Sequence, residues 1–125
     1  MDFELTEEQK LIRETVRDFA EREIKPVAKE LDEKAMFSYD LTKKMGEIGL
    51  FGMNIPEKYG GSGMDQIAYG LIMTELERGD SAIRSAASVQ SSLVMYPIYT
   101  FGSEDINTGM VELTLTAHGS NGDAV

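Results

Sequence analysis

The sequence predicts an all-α fold, a helical bundle that ends in a short strand-like stub. Three observations carry this. Apolar residues recur at three- and four-residue spacing from Leu11 to Phe101, the period of buried helix faces. Helix starts and stops punctuate those runs at Thr6, Gly49, Asp65 and Gly79-Asp80. Alternation of apolar and polar residues, the period of a strand, occurs only from Met110 to Ala117.

The first helix opens on Thr6 with Gln9 three residues later, a capping box whose first turn holds Glu7 and Glu8. Leu11, Ile12, Val16, Phe19, Ala20 and Ile24 form its apolar face, and Val27, Ala28 and Leu31 extend it to about Glu33. Pro26 removes a backbone donor and should bend or restart this helix. Glu14, Arg17, Asp18, Glu21 and Arg22 occupy the opposite face, read as solvated and suited to i,i+4 pairs. A second helix fits Asp40 to Ile48, with Leu41, Met45 and Ile48 inward and Gly49 as its stop. The loop from Met53 to Met64 is rich in glycine but lacks the Lys-Ser/Thr of a phosphate-binding loop, so its composition reads as a structural turn.

Asp65 can cap a third helix lined by Ile67, Leu71, Ile72 and Leu76. The fourth runs from Ser81 to about Phe101, with Pro97 interrupting it near the end. Its Ser81, Ser85, Ala86, Ala87, Ser88, Ser91 and Ser92 are small enough to let a backbone or a slender ligand approach. Arg84 shares a face with Asp80 and Ser88, four residues to either side. From the residues alone, Arg84 can pair with Asp80 or Glu77 in plain helix packing, or it can meet a ligand. After Gly102 the helical pattern ends, and the alternating segment is a strand awaiting a sheet or a disordered stub.

Composition narrows the function. The 125 residues amount to one domain's worth of chain, 42% hydrophobic and 27% charged. Twelve Lys and Arg face 22 Asp and Glu, a net charge of −10, which argues against nucleic-acid binding through phosphates. No apolar run reaches the ~20 residues of a membrane span, and Met1-Asp2-Phe3-Glu4 is neither a secretory nor a transit leader, so the expected address is cytoplasmic. With no cysteine, disulfide and thiolate chemistry are excluded, and a single His, His118, excludes a His-rich metal site. His118 itself reads as a solvated loop residue.

From Met1 to about Glu104 the chain resembles the N-terminal helical domain of flavin-dependent acyl-CoA dehydrogenases. The resemblance rests on Phe3-Glu4-Leu5-Thr6-Glu7-Glu8-Gln9, Ile48-Gly49-Leu50-Phe51-Gly52, the loop Ile55-Pro56-Glu57-Lys58-Tyr59-Gly60-Gly61-Ser62-Gly63, and Gly102-Ser103-Glu104. The run from Arg84 to Met95 looks more narrowly like the glutaryl-CoA dehydrogenase branch. The resemblance implies that Glu77, Arg84 and Ser88 hold the far carboxylate of a dicarboxyl-CoA and that Ser85 lines the same pocket. A guanidinium grips a carboxylate through two parallel hydrogen bonds, which suits that role. Leu113-Thr114-Leu115-Thr116-Ala117-His118-Gly119-Ser120-Asn121 resembles the family's flavin-contacting Leu-Thr-Glu-Pro-x-x-Gly-Ser-Asp loop, making Thr114 and Ser120 the flavin candidates. Leu115-Thr116 replaces its Glu-Pro, and Asn121 its Asp.

The expected division is therefore a helical domain over residues 1–104 and, over 105–125, a remnant of the first β-domain segment or a disordered tail. The leading function is a truncated acyl-CoA dehydrogenase that supplies one wall of the acyl pocket. The implied cofactor is FAD; the implied partners are an acyl-CoA thioester, an electron-transfer flavoprotein for the complete enzyme, and further copies of the chain. No membrane, nucleic acid, metal or catalytic base is expected, and the chain alone is expected to be inactive. The rival readings are a non-catalytic helical protein that binds acyl-CoA or a subunit, and a fragment without present function.

Overall fold

A computed structural model describes residues 3–107. They form α1 (Glu7–Phe19), α2 (Lys25–Glu33), α3 (Tyr39–Glu47), α4 (Gln66–Gly79), α5 (Ser81–Ser88), α6 (Tyr96–Phe101) and the single turn α7 (Glu104–Ile106), with no strand among them. The alternating segment from Met110 to Ala117, Thr114, His118 and Ser120 all lie outside the described residues.

The capping box forms as the sequence requires: the Gln9 N–H donates to Thr6 Oγ1 at 3.2 Å, and the Thr6 N–H donates to Gln9 Oε1 at 3.1 Å. The first long helix is continuous but not uniform. Between α1 and α2, Ala20–Ile24 widens into a π-helical turn, and the Lys25 N–H reaches back five residues to the Ala20 carbonyl. Pro26 follows at once. Proline has no N–H, and its ring crowds the preceding turn, so the extra residue relieves a clash that a regular α-turn would suffer. The second long helix repeats the device. Val89–Met95 is π-helical between α5 and α6, the Tyr96 N–H donates to the Ser91 carbonyl, and Pro97 comes next. Each proline thus sits just after a wide turn instead of breaking its helix.

The core gathers Val16, Ala20 and Ile24 from the first helix, Leu41 and Met45 from α3, Ile72 and Leu76 from α4, and Ile83, Ala87 and Met95 from the last. Three apolar expectations fail. Leu11, read as part of the buried face of the first helix, is 64% exposed. Ile48 falls just beyond the last turn of α3 and is 43% exposed, and Ile67, in the first turn of α4, is 58% exposed. On α4 the buried row is Ala68, Ile72, Glu75 and Leu76, so Ile67 lies off it. Gly49 does end the α3 segment, with φ +78.

The glycine-rich loop is a packed element of the core. Met53, Ile55 and Tyr59 are buried, Ser62 and Gly63 donate back to the Gly52 and Ile55 carbonyls, and Met64 donates to Met53 at 2.7 Å. A Cβ on Gly61 would stand 2.1 Å from the Ile55 carbonyl oxygen, so only glycine fits the crossing. The Tyr59 hydroxyl donates to Glu104 at 2.6 Å and ties the loop to α7.

Candidate functional site: one face of α4 and α5

Asp80 ends α4 and caps α5, accepting from the Ile83 N–H at 2.9 Å, so the two helices turn back on each other. Bonds at Glu77–Arg84 and, in the π-helical turn that continues α5, at Tyr69–Ser92 show that this long helix runs antiparallel to α4. That reversal brings Glu77 of α4 beside Arg84 of α5. Arg84 Nε donates to Glu77 at 2.6 Å, and Nη1 donates to Ser88 Oγ at 3.3 Å. The Ser81 hydroxyl donates to the other Glu77 oxygen at 2.8 Å. Arg84 and then Ser81 hold the Glu77 carboxyl below its ordinary range, so it stays ionised.

The structure therefore brings together three of the four expected residues: Glu77, Arg84 and Ser88. Ser85 joins them through its backbone, its carbonyl accepting from the Ser88 hydroxyl at 3.1 Å. Arg84 pairs with Glu77 and not with Asp80, whose carboxylate is committed to the cap. Pairing and ligand contact are compatible here. A guanidinium has five N–H donors; two are engaged, and the remaining three belong to a side chain about one-third exposed. The site is a polar wall, open on one side, with a fixed cation at its centre.

Sequence reasoning overlooked one feature of this wall. The Tyr69 hydroxyl and Ser92 Oγ lie 2.6 Å apart, one turn beyond Ser88. The spacing Arg84, Ser88, Ser92 was the available signal. Arg17, on the face the periodicity reads as solvated, is only partly exposed. Arg17 grips the buried carboxylate of Glu75 with two hydrogen bonds, Nε at 3.0 Å and Nη2 at 2.7 Å, and joins α1 to α4. The neighbouring pairs Arg22–Asp18 and Lys25–Glu21 do follow i,i+4 spacing.

The described residues do not by themselves fit a flavin. Their unsatisfied buried polar atoms, Arg13 Nε, Asn54 Oδ1 and Asn107 Oδ1, sit singly on α1, in the loop after α3 and just past α7, and form no cradle. No group of acids or histidine among the described residues could hold a metal, and no described helix is long and apolar enough to cross a membrane.

The chain is similar to known proteins along most of its length. Residues 6–115 match the family model for the acyl-CoA dehydrogenase N-terminal domain. The chain is 47% identical over 107 residues to a probable acyl-CoA dehydrogenase, YngJ, of Bacillus subtilis (strain 168), covering 84% of this chain and 28% of that protein. It is 43% identical over 100 residues to the mitochondrial short-chain specific acyl-CoA dehydrogenase of Rattus norvegicus, covering 80% of this chain and 24% of the relative. Among solved structures, a glutaryl-coenzyme A dehydrogenase in complex with glutaryl-CoA superimposes with a TM-score of 0.87 at 37% identity, covering 92% of this chain and 30% of that one. The chain thus spans under a third of the length of these relatives.

Proposed function

The chain belongs to the acyl-CoA dehydrogenase family, as its N-terminal domain, and from that premise we propose that it supplies one wall of an acyl-CoA site in which Arg84 receives a carboxylate. The family is FAD-dependent. When bound, that flavin supplies the redox chemistry of α,β-dehydrogenation, and this chain contributes binding and orientation. The observation that carries the reading is the guanidinium of Arg84, fixed by Glu77 and Ser88 with donors to spare. Glu77 repels a substrate carboxylate, so its role is to aim Arg84. Ser88 and Ser85 complete the polar end of the wall.

In this reading the substrate is a dicarboxyl-CoA such as glutaryl-CoA. Residues 1–104 act as the helical domain, and 105–125, with Thr114 and Ser120, belong to the flavin-proximal segment. The chain is cytoplasmic and self-associates in this reading, and an electron-transfer flavoprotein is the partner of the complete enzyme, with all its domains, and not of these 125 residues alone. Short-chain relatives are as similar as glutaryl-CoA ones, so the support for a dicarboxylate comes from Arg84 itself. None of the described residues is placed as the base that removes the α-proton, and losing a general base and the flavin costs many orders of magnitude. The 125-residue chain alone should therefore show no turnover of glutaryl-CoA with an artificial electron acceptor. Joined in frame to the middle and C-terminal domains of a relative, it should yield a flavin-loaded enzyme that oxidises acyl-CoA. Turnover by the chain alone, or a folded, flavin-loaded chimera without activity, would contradict the proposal.

A further inference from the structure

On the far side of α2 from the π-turn, the segment Met36-Phe37-Ser38-Tyr39 forms an aromatic ridge between two hollows. The larger, about 520 Å³, lies between α2 and α3; the smaller, about 310 Å³, faces Asp80 and Ile83. A cavity of some 300–1,000 Å³ is the size that takes a small ligand or an anchoring side chain. The floor of the larger one is aliphatic, from Val27, Leu31 and Leu41. Met36, Phe37 and Tyr39 are each half or more exposed, and the two rings pack edge to face at 5.3 Å and 81°. An edge-to-face pair leaves a ring face outward, where the π quadrupole attracts a cation.

The ridge is held at both ends. Ala35 ends α2 with φ +50, and the Met36 N–H donates to the Leu31 carbonyl at 3.0 Å. Ser38 caps α3, accepting from the Leu41 N–H at 3.2 Å. A surface fixed before binding loses less entropy on binding. Charge decides what it suits. The two hollows are lined by five carboxylates, Glu23, Glu30, Asp32, Asp40 and Asp80, against the ammonium groups of Lys34 and Lys44. Lys34 pairs with Glu30 and Lys44 with Glu23, so these four groups offset one another and the excess negative charge of the larger hollow is Asp40. Asp40 and Asp32 form none of these ion pairs, and the whole chain carries −10.

We propose that the α2–α3 cleft docks a basic segment of a partner protein, one that seats an aliphatic side chain on Val27, Leu31 and Leu41 and lays a flanking arginine or lysine over Phe37 and Tyr39, opposite Asp40. An uncharged partner gains only the apolar contact from this lining, and an acidic one is repelled by it. The site is separate from Arg84 and takes the opposite charge, so it stands whether or not the acyl-CoA reading holds.

The test is an amide-resolved NMR titration of the 125-residue chain with a short acetylated peptide of alternating leucine and arginine, beside a counterpart with glutamate for arginine. The arginine peptide should cause saturable shifts at Leu31, Phe37 and Tyr39, and the glutamate peptide should not. Asp40→Asn and Phe37→Ala should together weaken binding by roughly tenfold, and Phe37→Leu, which keeps apolar volume without the ring, by about threefold. These side chains are exposed, so melting curves should match the parent; if Phe37→Ala unfolds, Asp40→Asn and Phe37→Leu still decide. Absence of saturable shifts at millimolar peptide, equal response to both peptides, or shifts centred on α5 would overturn the proposal. So would concentration-dependent shifts at the same amides without peptide, which would mark a second copy as the occupant.

Discussion

Ala35 holds φ +50, the left-handed region where a Cβ is strained and glycine is not. It stands where α2 turns off, the position glycine occupies in most helix endings of this kind. Ala35→Gly should therefore stabilise the chain, by about 0.5–1 kcal/mol after subtracting the extra freedom glycine gains when unfolded. Thermal unfolding would show a midpoint several degrees higher; an unchanged or lower midpoint would mean the loop is not held in this shape. At this scale the sequence was legible where residue chemistry and role coincide. Thr6 and Gln9 could be read as a cap, and Gly49 as a stop, because their side chains, or the lack of one, permit little else. Ala35 could not be read, because nothing in alanine announces a left-handed turn. Gly61 was visible as a glycine, but its reason, a carbonyl 2.1 Å from where a Cβ would stand, exists only once the loop crosses itself.

Between elements, the bond that the linear pattern hid is Arg17–Glu75. Periodicity put Arg17 on a charged face, and no local signal says that a residue on another helix will meet it. Glu75 has 3% of its side chain exposed and Arg17 has 42%, so the carboxylate is the group that needs its partner. Arg17→Met should destabilise the chain, by less than breaking a fully buried pair would, because it strands that carboxylate. Arg17→Met with Glu75→Leu should recover most of the loss, since an apolar pair of similar size fills the same contact. The pH dependence has a definite sign. Arg17 holds the Glu75 carboxyl below its ordinary value of 4.5, so its contribution is present above that value and is lost as pH falls through the lower folded one. Asp65, held down by the Ala68 N–H and then Gln9, and Glu104, by Tyr59, behave alike. In Arg17→Met the stranded carboxyl prefers its proton, so the deficit should be largest near neutrality and shrink on acidification. Chemical denaturation across pH checks this; a deficit independent of pH would show that the pair contributes through packing alone.

At the scale of the whole molecule, the helical class and the order of the helices were legible because burial imposes a period on the sequence. Their interruptions were legible only as prolines, and the π-turns that absorb Pro26 and Pro97 were not. The site was half legible: Arg84 and Ser88 share a face by spacing and Glu77 joins them by resemblance, whereas Tyr69–Ser92 needed the antiparallel return after Asp80. Leu93 is 70% exposed and Phe101 86% exposed on the long C-terminal helix, a larger apolar surface than a solitary domain usually leaves in water. The chain should therefore associate into a homodimer or larger species at high micromolar concentration, and Leu93→Ser with Phe101→Ser should dissociate it. Light scattering that finds a monomer in the parent chain would refute this.

The Arg84 wall is tested most directly by substrate selectivity. In the chimera with a relative's remaining domains, kcat/KM is measured for glutaryl-CoA and butyryl-CoA, with Arg84 intact and as Arg84→Gln. A charge-assisted bidentate contact is worth about 1.5–3 kcal/mol. The substitution should therefore lower glutaryl-CoA turnover by roughly ten- to a hundredfold while leaving butyryl-CoA nearly unchanged. Equal loss on both substrates, or little loss on either, would contradict the carboxylate contact and leave Arg84 as the structural partner of Glu77.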